Sequence, residues 1–123
     1  MRYLLDTCLF LWMLEGNRKK IKVFLDKVED PQNDLLISVV SYWEIVIKRS
    51  LGKLEIADGW TATLEEMGVS WLLLEPAHLD HLEKLPPLHN DPFDRLLISQ
   101  AMAEKIELLT LDKKILQYQC RSL

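Results

Sequence analysis

Four short apolar runs, each separated from the next by helical sequence, constrain this chain more than any other feature. They are Tyr3-Leu4-Leu5, residues 35–41 (LLISVVS), residues 70–75 (SWLLLE) and residues 106–112 (IELLTLD). A strand that is apolar on both faces belongs in the middle of three layers, and strands that alternate with helices pair in parallel. The expected fold is an open three-layer α/β/α sandwich around a four- to five-stranded parallel sheet. A chain of 123 residues, 49% hydrophobic, suffices for one such core, so residues 1–123 are read as a single domain that needs no staples.

Helices are expected over residues 7–15, 18–29, 41–52, 58–67, 76–85, 92–104 and 112–117. The second, RKKIKVFLDKVE, intersperses Ile21, Val23, Phe24, Leu25 and Val28 among charges and reads as amphipathic. Residues 118–123 are read as a short fifth strand. No repeat, low-complexity tract or interdomain linker interrupts the pattern. No apolar run approaches the about 20 residues of a membrane span, and the N-terminus reaches an acid at position 6, unlike a signal peptide. Cys8 and Cys120 lack metal-motif spacing and read as reduced thiols of a cytoplasmic protein. Fifteen basic and 19 acidic residues give a net charge of −4, which argues against nonspecific coating of nucleic acid but not against a nuclease with an acidic cleft.

Most of the candidate chemistry sits at element ends. In HNDPFDRLL, residues 89–97, Asp91 suits a helix N-cap, Pro92 the first helical position and Asp94 the first turn. Asp6 ends the first strand, Glu44 lies in the first turn after the second, and Asp112 sits at the exit of the fourth. In an open parallel sheet these places share one edge, where ligands bind. Capping explains each acid singly, with Ser41 to Glu44 matching the S-x-x-E capping box. Four carboxylates on one edge repel, however, and helix dipoles relieve only ~0.3–1 kcal/mol each. An all-oxygen cluster without a Cys or His motif suits Mg²⁺ or Mn²⁺, ions of phosphoryl chemistry.

LLDTC at the start, SVVSYWEIVIKRSLGKL, HNDPFDRLLISQA and LLTLDKKI together resemble the PIN-domain family, and within it the VapC-like toxins of toxin–antitoxin pairs. The match is in order and spans nearly the whole chain. The resemblance implies a metal-dependent ribonuclease acting on RNA, with Asp6, Glu44, Asp94 and Asp112 as the catalytic quartet that holds Mg²⁺ or Mn²⁺. It also implies a small antitoxin protein as partner and a homodimer. Thr7 and Thr110 match family-like polar neighbours of the metal, while Asp91 belongs to the subgroup's DPFDR wording with a less defined role. The family ends in a strand, for which YQCRSL is a weak candidate.

Other residues have two readings. Lys48, four positions after Glu44, is either a helical ion pair or a phosphate contact. Arg95 is either a salt bridge to another helix or a substrate contact; Arg18-Lys19-Lys20 is read first as a solvated face. His78 and His81 read as surface residues, and His89 as a neighbour of the site for which direct catalysis is the minor reading. Trp43 and Trp71 are assigned to the core, and the very apolar helix around Trp12 to a dimer or antitoxin patch. Two rivals stand beside the nuclease: a binding protein that keeps the fold without cleaving, and a phospho-receiver module. The receiver is disfavoured because the first strand ends in one Asp and the third in Glu75-Pro76.

Overall fold

The computed structural model describes residues 1–122, with side chains through 118. Four strands form one parallel sheet: β1 Arg2–Leu5, β2 Asp34–Ser38, β3 Val69–Leu72 and β4 Glu107–Leu109. Their spatial order is β3-β2-β1-β4, with Leu4 aligned to both Leu36 and Leu108. A receiver module would follow the order 2-1-3-4-5. Here β3 lies beside β2, which removes that rival.

The continuous apolar runs are explained by two cores, one per sheet face. Successive strand residues point to opposite faces. Tyr3, Leu5, Leu35, Ile37 and Leu109 join one core with Leu9, Phe10, Ile45, Trp60 and Leu64. Leu4, Leu36 and Leu108 join the other with Leu96, Leu97, Ile98, Ala101, Ile115 and Tyr118. The covering helices are α1 Thr7–Leu14, α2 Leu25–Val28, α3 Val39–Ser50, α4 Trp60–Glu66, α5 Pro76–Lys84, α6 Pro92–Glu104 and α7 Lys113–Ser122. Leu11, Trp12, Met13 and Leu14 are partly buried against the first core, so much of the surplus apolar surface of α1 is used within the chain. No helix among the described residues is long and apolar enough to cross a membrane.

Several expectations are corrected. The amphipathic helix over 18–29 is absent as a unit: a 3-10 turn at Lys22–Phe24 leads into a single α-turn, α2. Eleven residues of helix would separate their ends by about 16 Å, yet Arg18 pairs with Glu29, its Nη2 lying 3.1 Å from Oε1. The segment folds back on itself instead. The fifth strand expected over 118–123 is also overturned as far as residue 122, with 123 outside the described residues: residues 113–122 are helical, and Tyr118 fills the second core.

The second strand stops at Ser38 rather than Ser41, and α3 begins two residues earlier than expected. Ser38 is the N-cap, accepting from the Val40 amide at 2.9 Å, so the Ser41–Glu44 capping box does not form. Ser38 Oγ also donates to Gln100 on α6, a tertiary bond that fixes the junction. The inward face of α3 carries Val40, Ser41, Glu44 and Ile45. Trp43 therefore points away from the core and is half exposed, stacked edge-on against Phe93. His78 is fully buried rather than superficial. Its Nδ1 accepts from the Glu75 amide at the start of α5, and its Nε2 lies 3.1 Å from Glu104.

Candidate functional site

The strand order reverses between β1 and β4, because β2 and β3 lie to one side of β1 and β4 to the other. A reversal of this kind opens a crevice beyond the carboxyl ends of the two strands. A cleft of about 320 Å³ lies there, lined by Asp6, Thr7, Cys8, Trp12, Glu44, Lys48, Asp91, Asp94, Leu111, Asp112 and Ile115. All four acids singled out in the sequence thus reach one cleft.

Asp6 follows β1 directly and caps α1: its Oδ1 accepts from the Leu9 amide at 2.7 Å. Its Oδ2 accepts from Thr110 Oγ1 at 2.5 Å. The same Thr110 hydroxyl accepts from the Asp112 amide at 3.0 Å, tying the loop after β4 to the end of β1. Burial pushes the Asp6 carboxyl above its ordinary range; the Thr110 and Leu9 hydrogen bonds oppose the shift, and the charges of Asp112 and Glu44 add to it.

Glu44 is buried in the second turn of α3. Thr7 Oγ1 donates to its Oε1 at 2.8 Å. With the Thr7 proton so committed, Ser41 Oγ is the donor in its 2.8 Å contact with Thr7. Lys48 Nζ donates to Glu44 Oε2 at 2.6 Å, and this bond raises the lysine's pKa. The helical-pair reading of Lys48 is therefore realised, although its side chain also lines the cleft.

Asp91 caps α6 as expected, accepting from the amides of Phe93 at 2.8 Å and Asp94 at 3.2 Å. That cap aims Asp94 at the cleft from the first turn. Burial, then the charges of Asp91, Glu44 and Asp112, push the Asp94 carboxyl up to about 6, against a lowering by His89. Asp112 lies three residues beyond β4 rather than at its exit, and caps α7 by accepting from the Lys114 amide at 2.8 Å.

Arg95 does not reach the site. Its guanidinium turns to the Pro86 and His89 carbonyls and the Tyr118 hydroxyl, bracing the loop that precedes α6, so among the described residues it forms neither a salt bridge to another helix nor a wall of the cleft. Ser41 escapes the sequence reading, and His89, read as a neighbour of the site, lies in direct contact with two of its acids. Ser41 was absorbed by a spurious capping box. The expected nearness of His89 is realised: its Nε2 is 2.8 Å from Asp94 Oδ2 and 3.8 Å from Asp112 Oδ2. A His two residues before a DP helix start is the available signal for such a contact.

The donor set fits a hard divalent cation. Five carboxylates, the quartet and Asp91, line the cleft; two are held above their ordinary pKa, and Lys48 is the one basic side chain among the described lining residues. Among the described residues, His89, Asp94 and Asp112 form the compact group, with potential ligand atoms all within 4.8 Å of one another. Asp6 and Glu44 line the same cleft, with each carboxylate oxygen already accepting a hydrogen bond.

The family model for the PIN domain matches residues 3–119. Comparison with the curated proteins finds no match. Among solved structures, a chain of VapBC2 from Rickettsia felis bound to a DNA fragment from their promoter is similar, with TM-score 0.68 and 16% identity over 96% of this chain and 93% of that one. A chain of VapBC-1 from nontypeable Haemophilus influenzae is similar with TM-score 0.66 and 19% identity, over 98% and 94%. These likenesses are of fold.

Proposed function

Because the chain belongs to the PIN domain family, we propose that it is a VapC-like toxin, a metal-dependent endoribonuclease that hydrolyses RNA phosphodiester bonds. The observation that carries this reading is the convergence of Asp6, Glu44, Asp94 and Asp112 on one cleft with more negative charge than its partners offset. Mg²⁺ or Mn²⁺, when bound, would supply neutralisation of phosphate charge and activation of a water for in-line attack. Asp94 and Asp112 would hold it together with Asp6 and Glu44, directly or through water. Thr110 and Thr7 keep the latter two oriented. Lys48, whose side chain lines the cleft, would meet a backbone phosphate.

The VapBC neighbours support a small antitoxin as partner, and the proposal adds an RNA substrate, a homodimer and a cytoplasmic location. The test is cleavage of a mixed RNA pool by purified protein with added Mn²⁺, its loss with EDTA, and its loss in Asp6→Asn. Undiminished cutting by Asp6→Asn would remove the quartet from the mechanism. Growth arrest on expression alone, relieved by a co-expressed neighbouring gene, tests the toxin role.

A further inference from the structure

His89 is the polar group of this region that the quartet leaves without a task. Its backbone is fixed on both sides: the amide donates to the Tyr118 hydroxyl at 3.0 Å, and the carbonyl accepts from Arg95 at 3.4 Å. Its ring is oriented by Asp91, whose amide donates to Nδ1 at 3.2 Å. A ring nitrogen that accepts carries no proton, so the neutral ring bears its proton on Nε2. That atom is buried, makes no well-aligned hydrogen bond, and faces the oxygens of Asp94 and Asp112. A protonated Nε2 has no lone pair to offer a cation. It can act only as a donor toward the two carboxylates.

We propose that His89 is a positioning residue of the cation site: its Nε2–H orients the Asp94 carboxylate toward Asp112, so that both face one ion that His89 does not itself ligate. This rests on reading the cleft as a cation site. Asp91 then has two linked tasks. Its side chain fixes the start of the helix that carries Asp94, and its backbone amide fixes the ring that aims the Asp94 carboxylate. A donor outside the ligand set orients ligands without consuming a coordination position.

The test is Mn²⁺ binding to the full chain, measured by calorimetry for wild type, His89→Phe and His89→Gln. Phe keeps the ring and removes the donor; Gln restores an N–H near the position of Nε2. His89→Phe should weaken Mn²⁺ binding about 10- to 100-fold, the range for a lost supporting contact, and His89→Gln should regain most of it. Pulsed electron paramagnetic resonance of the Mn²⁺-loaded wild type should show no directly coordinated histidine nitrogen. Equal affinities in all three proteins, a coordinated nitrogen, or a Gln variant as weak as Phe while both unfold like wild type would each overturn the proposal. If wild type binds no Mn²⁺, the cation reading falls and takes this proposal with it. Tight wild-type binding with unchanged variants removes the role of His89 alone.

Discussion

The two halves of the cleft differ in how their charges are met. On one side, Asp6 and Glu44 are buried, and each of their oxygens accepts a hydrogen bond, from Leu9, Thr110, Thr7 and Lys48 in turn. On the other, Asp94 and Asp112 are more open, and the Asp94 carboxylate meets chiefly an ill-aligned imidazole and other negative charge. The first half is a finished structural network that carries acids. The second is unfinished until something positive arrives. Function and stability are therefore expected to trade places across the cleft.

The largest break in that comparison is Asp94→Asn. RNA cleavage should fall by more than about a hundredfold, beyond what loss of a supporting contact reaches. The metal-free protein should nevertheless melt at a higher temperature. The sign follows from linkage. The folded chain keeps the Asp94 proton up to about 6, whereas the ordinary value is 3.8, so folding is opposed increasingly as pH rises between these values and remains opposed above them. Asparagine removes that opposition. A lower melting temperature at pH 7 would mean that Asp94 is compensated after all. For the same reason, Mn²⁺ affinity of the wild type should weaken by up to about tenfold for each pH unit below about 6, since the ion competes with the proton. Calorimetry at several pH values would read this, and a flat profile would contradict it.

Next comes Thr110→Val, in the finished half. It strands Asp6 Oδ2 in a buried place and unties the Asp112 amide. Unfolding in urea should show a loss of about 1–3 kcal/mol, the penalty of an unsatisfied buried group. The smallest effect is expected for Lys48→Met. Glu44 is buried, but the lysine is half exposed and water can replace its ammonium at Oε2, so the loss should stay at the lower end of that range, about 1 kcal/mol. A clear loss of RNA affinity in this variant, with no larger loss of stability, would give Lys48 the phosphate role as well.

The acids of the site were legible in the sequence because three of them cap helices. Asp6, Asp91 and Asp112 stand where a short polar side chain meets free amides, and α6 runs over the expected Pro92–Glu104. Local grammar of this kind acts over three or four residues and needs no tertiary partner. It misled where two local signals competed. Ser38 and Ser41 are both plausible caps, and the Gln100 contact with Ser38 decides between them. It failed again at residues 18–29, where the Arg18–Glu29 pair closes a fold that helical periodicity cannot foresee.

The sequence by itself determined the layer plan and the acid positions, because apolar periodicity and capping are properties of neighbouring residues. Only the tertiary structure decided which acids share partners. Thr7 reaches Glu44 across 37 positions, and Thr110 reaches Asp6 across 104. Such bonds exist because a parallel sheet brings the ends of distant strands to one edge. The role of His89 belongs to the same category: its ring meets Asp94 and Asp112 only once Tyr118, from the far end of the chain, has fixed its loop.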